Sequence, residues 1–237
     1  ANFGASYMAP NFSGDSSPWI FGTAGADTMT ITLDHIQIQS GAGDDHLSNP
    51  TVWMSDLWGG DGNDTAIGSG MYDNIRGENG NDSLNGMGGG DMMTGGAGAD
   101  YMIGGAGTDI VWGQDGNDTV DGGDDIDEVR GGAGDDVLTG GTGEHWMAGD
   151  QGSDTLTGGQ GPDVFYASNY MGLDRITDFS LADGDRVVMD PGTAYSVAQV
   201  GADTVISIGS GNQMILVGVQ ASSLLSTSIF QTWEWTI

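Results

Sequence analysis

A chain of 237 residues with 34 acidic against 4 basic side chains, and a net charge of −30, excludes nucleic acid as a partner, because phosphate binding needs a Lys/Arg footprint. The same charge repels anionic membrane surfaces, and no stretch approaches the ~18 apolar residues that span a bilayer. Cys is absent, so no disulfide framework supports the fold.

An acidic excess of this size fits a disordered tail, a halophile-like surface or a cation-binding protein. Along the chain, residues 1–21 come first, carrying Phe3, Tyr7, Phe12, Trp19 and Phe21. They lack the basic-then-apolar pattern of a cleavable leader. Ala1 is what removal of an initiator Met leaves, which reads as a nearly complete small protein. The segment is expected to cap an open end of the fold, or to dock onto another subunit.

In residues 22–58, Gly25, Ala26 and Asp27 are echoed by Gly43, Asp44 and Asp45, at twice the period of the repeat that follows. Ile31, Leu33, Ile36 and Ile38 supply strand-like apolar positions between them. Two degenerate turns of that repeat are expected here. Asp45 to Asp64 is one residue longer than the doubled period, which a bulge around Asn49 and Pro50 would absorb.

Residues 59–166 are twelve consecutive nine-residue units. Each opens with Gly, and the eighth position is apolar from Ala66 through to Phe165. The sixth position is Asp in every unit but one: Asp64, Asp73, Asp82, Asp91, Asp100, Asp109, Asp118, Asp127, Asp136, Asp154 and Asp163, with His145 as the exception. Asp at a fixed phase decides for cation binding. A period of nine that fixes Gly, Asp and one apolar residue resembles the glycine-rich nonapeptide repeat of the RTX (repeats-in-toxin) family of secreted bacterial proteins. The resemblance implies an all-β fold, a right-handed parallel β-roll (a β-solenoid) that binds several Ca2+ ions. The first six positions of each unit would form a turn and the last three a short strand, so two units make one coil.

Calcium takes six to eight oxygens, of which one turn supplies about half. Each ion is therefore expected between a unit and the unit one coil on, which divides the chain into two ladders. The odd ladder (Asp64, Asp82, Asp100, Asp118, Asp136 and Asp154) keeps Gly at the first and fourth positions throughout, and at least five ions are expected along it. In the even ladder Met71 and Asp125 replace the fourth-position Gly and His145 replaces Asp. Only Asp91 and Asp109 belong to neighbouring intact turns there. Weak or missing ions are expected near Met71, Asp125 and His145, although Asp73, Asp127 and Asp163 stay in the ligand set. Asp27 and Asp45 extend that set upstream and Asp185 extends it downstream.

After Tyr166 the period stops. The runs beginning at Asp174, Asp183 and Met214 resemble the serralysin-like region that follows RTX repeats in secreted proteases. Thr204, Val205, Ile206, Ser207 and Ile208 alternate as an antiparallel strand does. Residues 167–237 are thus expected to form an antiparallel β cap. Glu234, Trp235, Thr236 and Ile237 look like the uncleaved C-terminal signal of type I secretion, which makes the secretion apparatus a partner and the chain extracellular or cell-surface. Transport logic agrees: without cation the Asp ladders repel, ordering Gly-rich backbone costs about 1–2 kcal/mol per residue, and the chain stays threadable until it meets millimolar calcium outside.

Catalytic signatures are missing. The repeat period accounts for the carboxylate pairs. His35, His46 and His145 form no H-E-x-x-H run, and no G-x-S-x-G elbow occurs. Lys is absent altogether, which removes P-loop and Schiff-base chemistry. His145 lacks a second His or Cys and reads as a degenerate turn. The Asn-x-Ser/Thr matches at Asn63, Asn81 and Asn117 read as by-products of the repeat. Outward strand positions give a mostly polar odd sheet, whose Ser83, Tyr101 and Val137 interrupt a Thr ladder. The even sheet is expected to expose Met92, Ile110, Trp112, Trp146, Val164 and Tyr166 beside Arg76 and Arg130, the composition of a partner surface. The leading reading is a non-enzymatic secreted calcium-binding protein that self-associates into a surface layer, filament or matrix. The alternatives are the folding and secretion module of an exported protease, lipase or alginate epimerase, and an ice- or glycan-binding module.

Overall fold

The computed structural model describes residues 7–9, 19–30, 36–50, 54–209, 211–224 and 230–232. The chain winds into a β-solenoid of about nine turns. Among the described residues its strands fall alternately into two sheets of 12. The even sheet runs from Trp19–Phe21 through Ile36–Ala42, Ser55–Asp61, Asp73–Asn79 and on to Val164–Ala167. The odd sheet runs from Thr28–Thr30 through His46–Ser48 and Thr65–Ile67 to Thr155–Gln160 and Leu173–Ile176. Within the repeats every neighbour pair is parallel and displaced by two units, as in Tyr101 opposite Thr119 and Met92 opposite Ile110.

The period of nine produces this because alternation within each short strand sends only the eighth side chain inward. All twelve eighth-position residues, Ala66 to Phe165, are at most 1% exposed. The core is a single file from each sheet, extended upstream by Met29, Ile38, Leu47 and Leu57. Ser55 pairs with Asp73 at the two-unit step, whereas His46 pairs with Thr65 at a step one residue longer, so the extra residue falls between Ser48 and Ser55. Ile31, Leu33 and His35 lie outside the described residues.

The coil does not stop at Tyr166. Leu173–Ile176 continues the odd sheet in parallel register, with Thr155 opposite Arg175, and Arg186–Met189 continues the even sheet, with Val164 opposite Arg186. Both steps are longer than two units, so short insertions hide the continuing coil from a strict count of the period. Phe230–Thr232 adds a last parallel strand to the even sheet. Antiparallel pairing begins only at Tyr195–Val200, Asp203–Ile208 and Asn212–Leu216, which close the odd sheet. Under them Phe179, Ile206, Ile208, Met214, Leu216 and Leu224 are buried, and Phe179 packs 6.0 Å from Phe165. At the other end Tyr7–Ala9 lies antiparallel on Trp19–Phe21. The Phe3 and Phe12 positions, and the terminal Glu234 to Ile237, are outside the described residues. Among the described residues no helix is long and apolar enough to cross a membrane.

Candidate metal centres

Two of the repeat's glycines sit where a side chain is strained or has no room. At the fourth position the backbone is left-handed, with φ of +132° at Gly116 and +137° at Gly98, a region L side chains rarely enter. Coils also stack so closely there that a Cβ on Gly116 would lie 1.7 Å from the Gly98 carbonyl oxygen. At the first position a Cβ on Gly77 would lie 2.1 Å from Asp82 Oδ2 and 2.6 Å from the Gly95 carbonyl oxygen. The bare α-carbon therefore leaves a cradle shared by one carboxylate oxygen and a carbonyl of the next coil.

The sixth-position carboxylates form two buried files. Each accepts, through Oδ1, the amide N–H of the Asp one coil earlier: Asp64 donates to Asp82 at 2.7 Å, Asp82 to Asp100 at 2.8 Å and Asp100 to Asp118 at 2.8 Å. Asp118, Asp136 and Asp154 continue the odd file. Asp27 and Asp45 begin it, Asp27 donating to Asp45 and Asp45 to Asp64. The even file links Asp73, Asp91, Asp109 and Asp127 in the same way, and Asp163 donates to Asp185 at 2.9 Å. Sequence spacing missed one member. Asp174, beyond the end of the strict period, accepts the Asp154 amide at 3.3 Å and forms the next odd rung.

The second oxygen of each carboxylate separates the rungs into two kinds. Oδ2 is buried without a hydrogen-bond partner at Asp45, Asp64, Asp82, Asp100, Asp118, Asp136, Asp154 and Asp174 of the odd file, and at Asp91, Asp109, Asp127 and Asp163 of the even file. Buried anionic oxygens are left unpaired only at a large cost, so these positions demand a cation. Three rungs are satisfied by protein instead. Asp73 Oδ2 accepts from the Ser69 amide and hydroxyl, and its Oδ1 accepts from those of Ser55. Asp27 Oδ2 accepts from the Thr23 amide and hydroxyl, and Asp185 Oδ2 from the Ser180 amide. A Ser or Thr on the turn just before the Asp was the available signal for Asp27 and Asp73. Asp125, expected to damage its turn, keeps a left-handed φ of +83°, so the backbone there holds the repeat's shape.

Electrostatics point the same way. Burial pushes the carboxyls of Asp64, Asp118 and Asp127 up to about 6, those of Asp82 and Asp136 to about 7, and that of Asp91 to about 8, with neighbouring carboxylates in the file adding to the effect. Asp174 is pushed to about 8 by burial and by Asp154. Among the described residues no three His, Cys, Asp or Glu side chains cluster as a metal group. The carboxylates stand in single file, so an ion here must complete its shell from backbone carbonyls of stacked Gly turns. Hard oxygen donors of that kind suit calcium.

The repeat region matches the family described as the RTX calcium-binding nonapeptide repeat, at residues 58–93, 85–120, 94–129, 121–144 and 146–169. This chain is an RTX β-roll protein. It binds several calcium ions, whose double charge offsets the stacked carboxylates. Among solved structures, the RTX β-roll is similar to the extracellular lipase LipA from Serratia marcescens, at 20% identity over 66% of this chain and 38% of the lipase, with a TM-score of 0.27. It is also similar to the AlgE6R3 subunit of the Azotobacter vinelandii mannuronan C5-epimerase, at 24% identity over 56% of this chain and 72% of that one, with a TM-score of 0.24. This chain thus spans well under half of the lipase's length. No curated protein sequence matches it.

The outward faces differ from the sequence expectation. Met92, Ile110, Trp112, Trp146 and Tyr166 are half-buried, because residues one coil apart stand in register and cover one another along the even sheet. Val164 is fully buried between Trp146 and Arg186 in the same column. The more exposed large apolar side chains include Tyr101 and Val137 on the odd sheet and Met71, Met87 and Ile126 on the turns. On the even face Arg76 lies 5.1 Å over the Trp58 ring, and Arg130 makes a two-point contact with Asp150 at 2.8 and 2.9 Å. Asn63, Asn81 and Asn117 also have a task. Their side-chain oxygens accept the amides of Asn81, Ala99 and Asp135 one coil on, a second ladder on the turn surface.

Proposed function

We propose that this RTX β-roll is a secreted, non-enzymatic structural protein that orders itself on extracellular calcium and then self-associates side by side. The observation that carries the folding step is the file of partnerless Oδ2 atoms, which makes the coil unfavourable without a divalent cation and favourable with one. RTX repeats occur in exported proteins. A chain that stays threadable in the calcium-poor cytosol suits a type I export route.

Side-by-side association is supported by the ends of the rod. An antiparallel strand closes one end of each sheet, Tyr7–Ala9 on the even sheet and Tyr195–Val200 on the odd, which opposes stacking of coil on coil there. The even face carries a shallow groove of about 800 Å³ with Ile110, Trp146, Tyr166 and Arg130 in its lining. Analytical ultracentrifugation and electron microscopy with and without millimolar calcium test the reading. Ordered calcium-dependent assemblies that disappear in Trp112→Ala/Trp146→Ala are expected. A calcium-loaded protein that stays monomeric at every concentration overturns self-association and leaves the folding step standing.

A further inference from the structure

At one rung of the even file the repeat's Asp is His145, and the ring is fully buried. Its Nδ1 lies 2.8 Å from Asp163 Oδ1, an atom that also accepts the His145 amide at 3.0 Å. A carboxylate at that distance fixes Nδ1 as the protonated nitrogen and leaves the Nε2 lone pair as the free one. Nε2 has no hydrogen-bond partner, and it points at Asp127 Oδ2, 3.5 Å away and equally without one. Two buried acceptors facing each other repel unless a proton or a metal cation lies between them. The gap is too long for an N–H···O hydrogen bond. It suits a bridging ion: two donors about 2.1 Å from a metal and 3.5 Å from each other subtend about 110°, the tetrahedral angle.

A third donor lies close by. A carbon placed on Gly122 would be 2.8 Å from Asp127 Oδ2 and 2.8 Å from the Gly140 carbonyl oxygen, so that carbonyl borders the same space. We propose that His145 Nε2, Asp127 Oδ2 and the Gly140 carbonyl form a buried site for one zinc-class transition-metal ion, set into a file of calcium positions. Asp163 is its positioning residue. It orients the imidazole and raises its basicity, as carboxylates behind metal-bound histidines do. Replacing an oxygen by an imidazole nitrogen shifts preference away from calcium and toward Zn2+, Co2+ or Ni2+.

The test uses the full, untagged chain in millimolar calcium, titrated with Zn2+ by calorimetry and with Co2+ by visible absorption. One equivalent is expected to bind in the presence of calcium, with Co2+ bands of low-symmetry four-coordination. His145→Asp restores the repeat's own residue and so keeps the coil. It is expected to abolish Zn2+ binding and add calcium uptake. Asp163→Asn is expected to weaken Zn2+ by about 10–100-fold and, because Asp163 Oδ2 is itself a calcium position, to lower calcium uptake at its own rung only. Zn2+ binding that survives His145→Asp unchanged, no binding to the parent protein, or a His145 imidazole nitrogen resonance indifferent to Zn2+ overturns the proposal.

Discussion

Stripping calcium should make stability of the roll run backwards with pH. Asp82 is 2% exposed, and burial lifts its carboxyl from 3.8 to about 7 in the folded, metal-free chain. Keeping it ionised above pH 7 therefore costs about 4 kcal/mol relative to the unfolded chain, at about 1.4 kcal/mol per unit. One rung thus consumes much of the roughly 5–15 kcal/mol that typically holds a domain together, and Asp91, Asp136 and Asp174 lie as high or higher. Because the folded form binds more protons than the unfolded one between about pH 4 and pH 8, its stability falls as pH rises through that window. Below pH 4 both forms are protonated and the gain is complete. Far-UV circular dichroism and urea titration of exhaustively metal-stripped protein from pH 4 to 8 read this directly. Recovery of β-structure on acidification is expected, while calcium-loaded protein behaves oppositely, since protons compete with the ion. A stripped chain equally folded, or better folded, at pH 8 than at pH 5 would refute the reasoning.

Further outcomes follow from single contacts. Asp118→Ala should lower the calcium count by at least one and cost about 1–3 kcal/mol by leaving the Asp100 amide unpaired, whereas Asp73→Ala, whose carboxylate is held by Ser55 and Ser69, should leave the calcium count measured by competition titration unchanged. Gly116→Ala should destabilise by more than about 2 kcal/mol through its φ and the Gly98 carbonyl, while Met87→Gly, at φ +76°, should raise the melting temperature, worth about 1 kcal/mol. Arg130→Ala should cost under about 1 kcal/mol in calcium-loaded denaturation, because its contact with Asp150 is partly open to solvent.

The coil and most of its ligand files could be read from the sequence because the same nine-residue phase sets backbone turn, inward side chain and carboxylate together. What the sequence hid lies where that phase slips. Asp174 stays in the odd file although an insertion lengthens its coil to 20 residues. The quality of a rung was hidden for another reason. Thr23, Ser55 and Ser69 supply hydroxyls that replace an ion's role; a Ser or Thr on the turn was the one hint, and their reach to Asp27 and Asp73 shows it. Strain at the second position was equally invisible: Glu78, Met87, Gln114 and Asp150 all take left-handed φ where other units place Gly. The even face misled because a residue pointing outward from a strand is still covered when its neighbours above and below are as large as Trp146 and Tyr166.

The hydrogen bonds between successive carboxylates all run one way, from the amide of one rung to the oxygen of the rung nearer the C-terminus. In this file a growing stack is therefore not symmetric, while the ladder of Asn63 and Asn81 on the turn surface runs the other way. A new coil added on the N-terminal side finds its acceptor waiting, while one added on the other side must bring its own and leaves the previous amide bare until it arrives. Through the carboxylate file, the block holding Asp174 and Asp185 is the end on which the earlier rungs lean. Trimming the chain there should erase far more slow-exchanging amides than removing an equal length from its start.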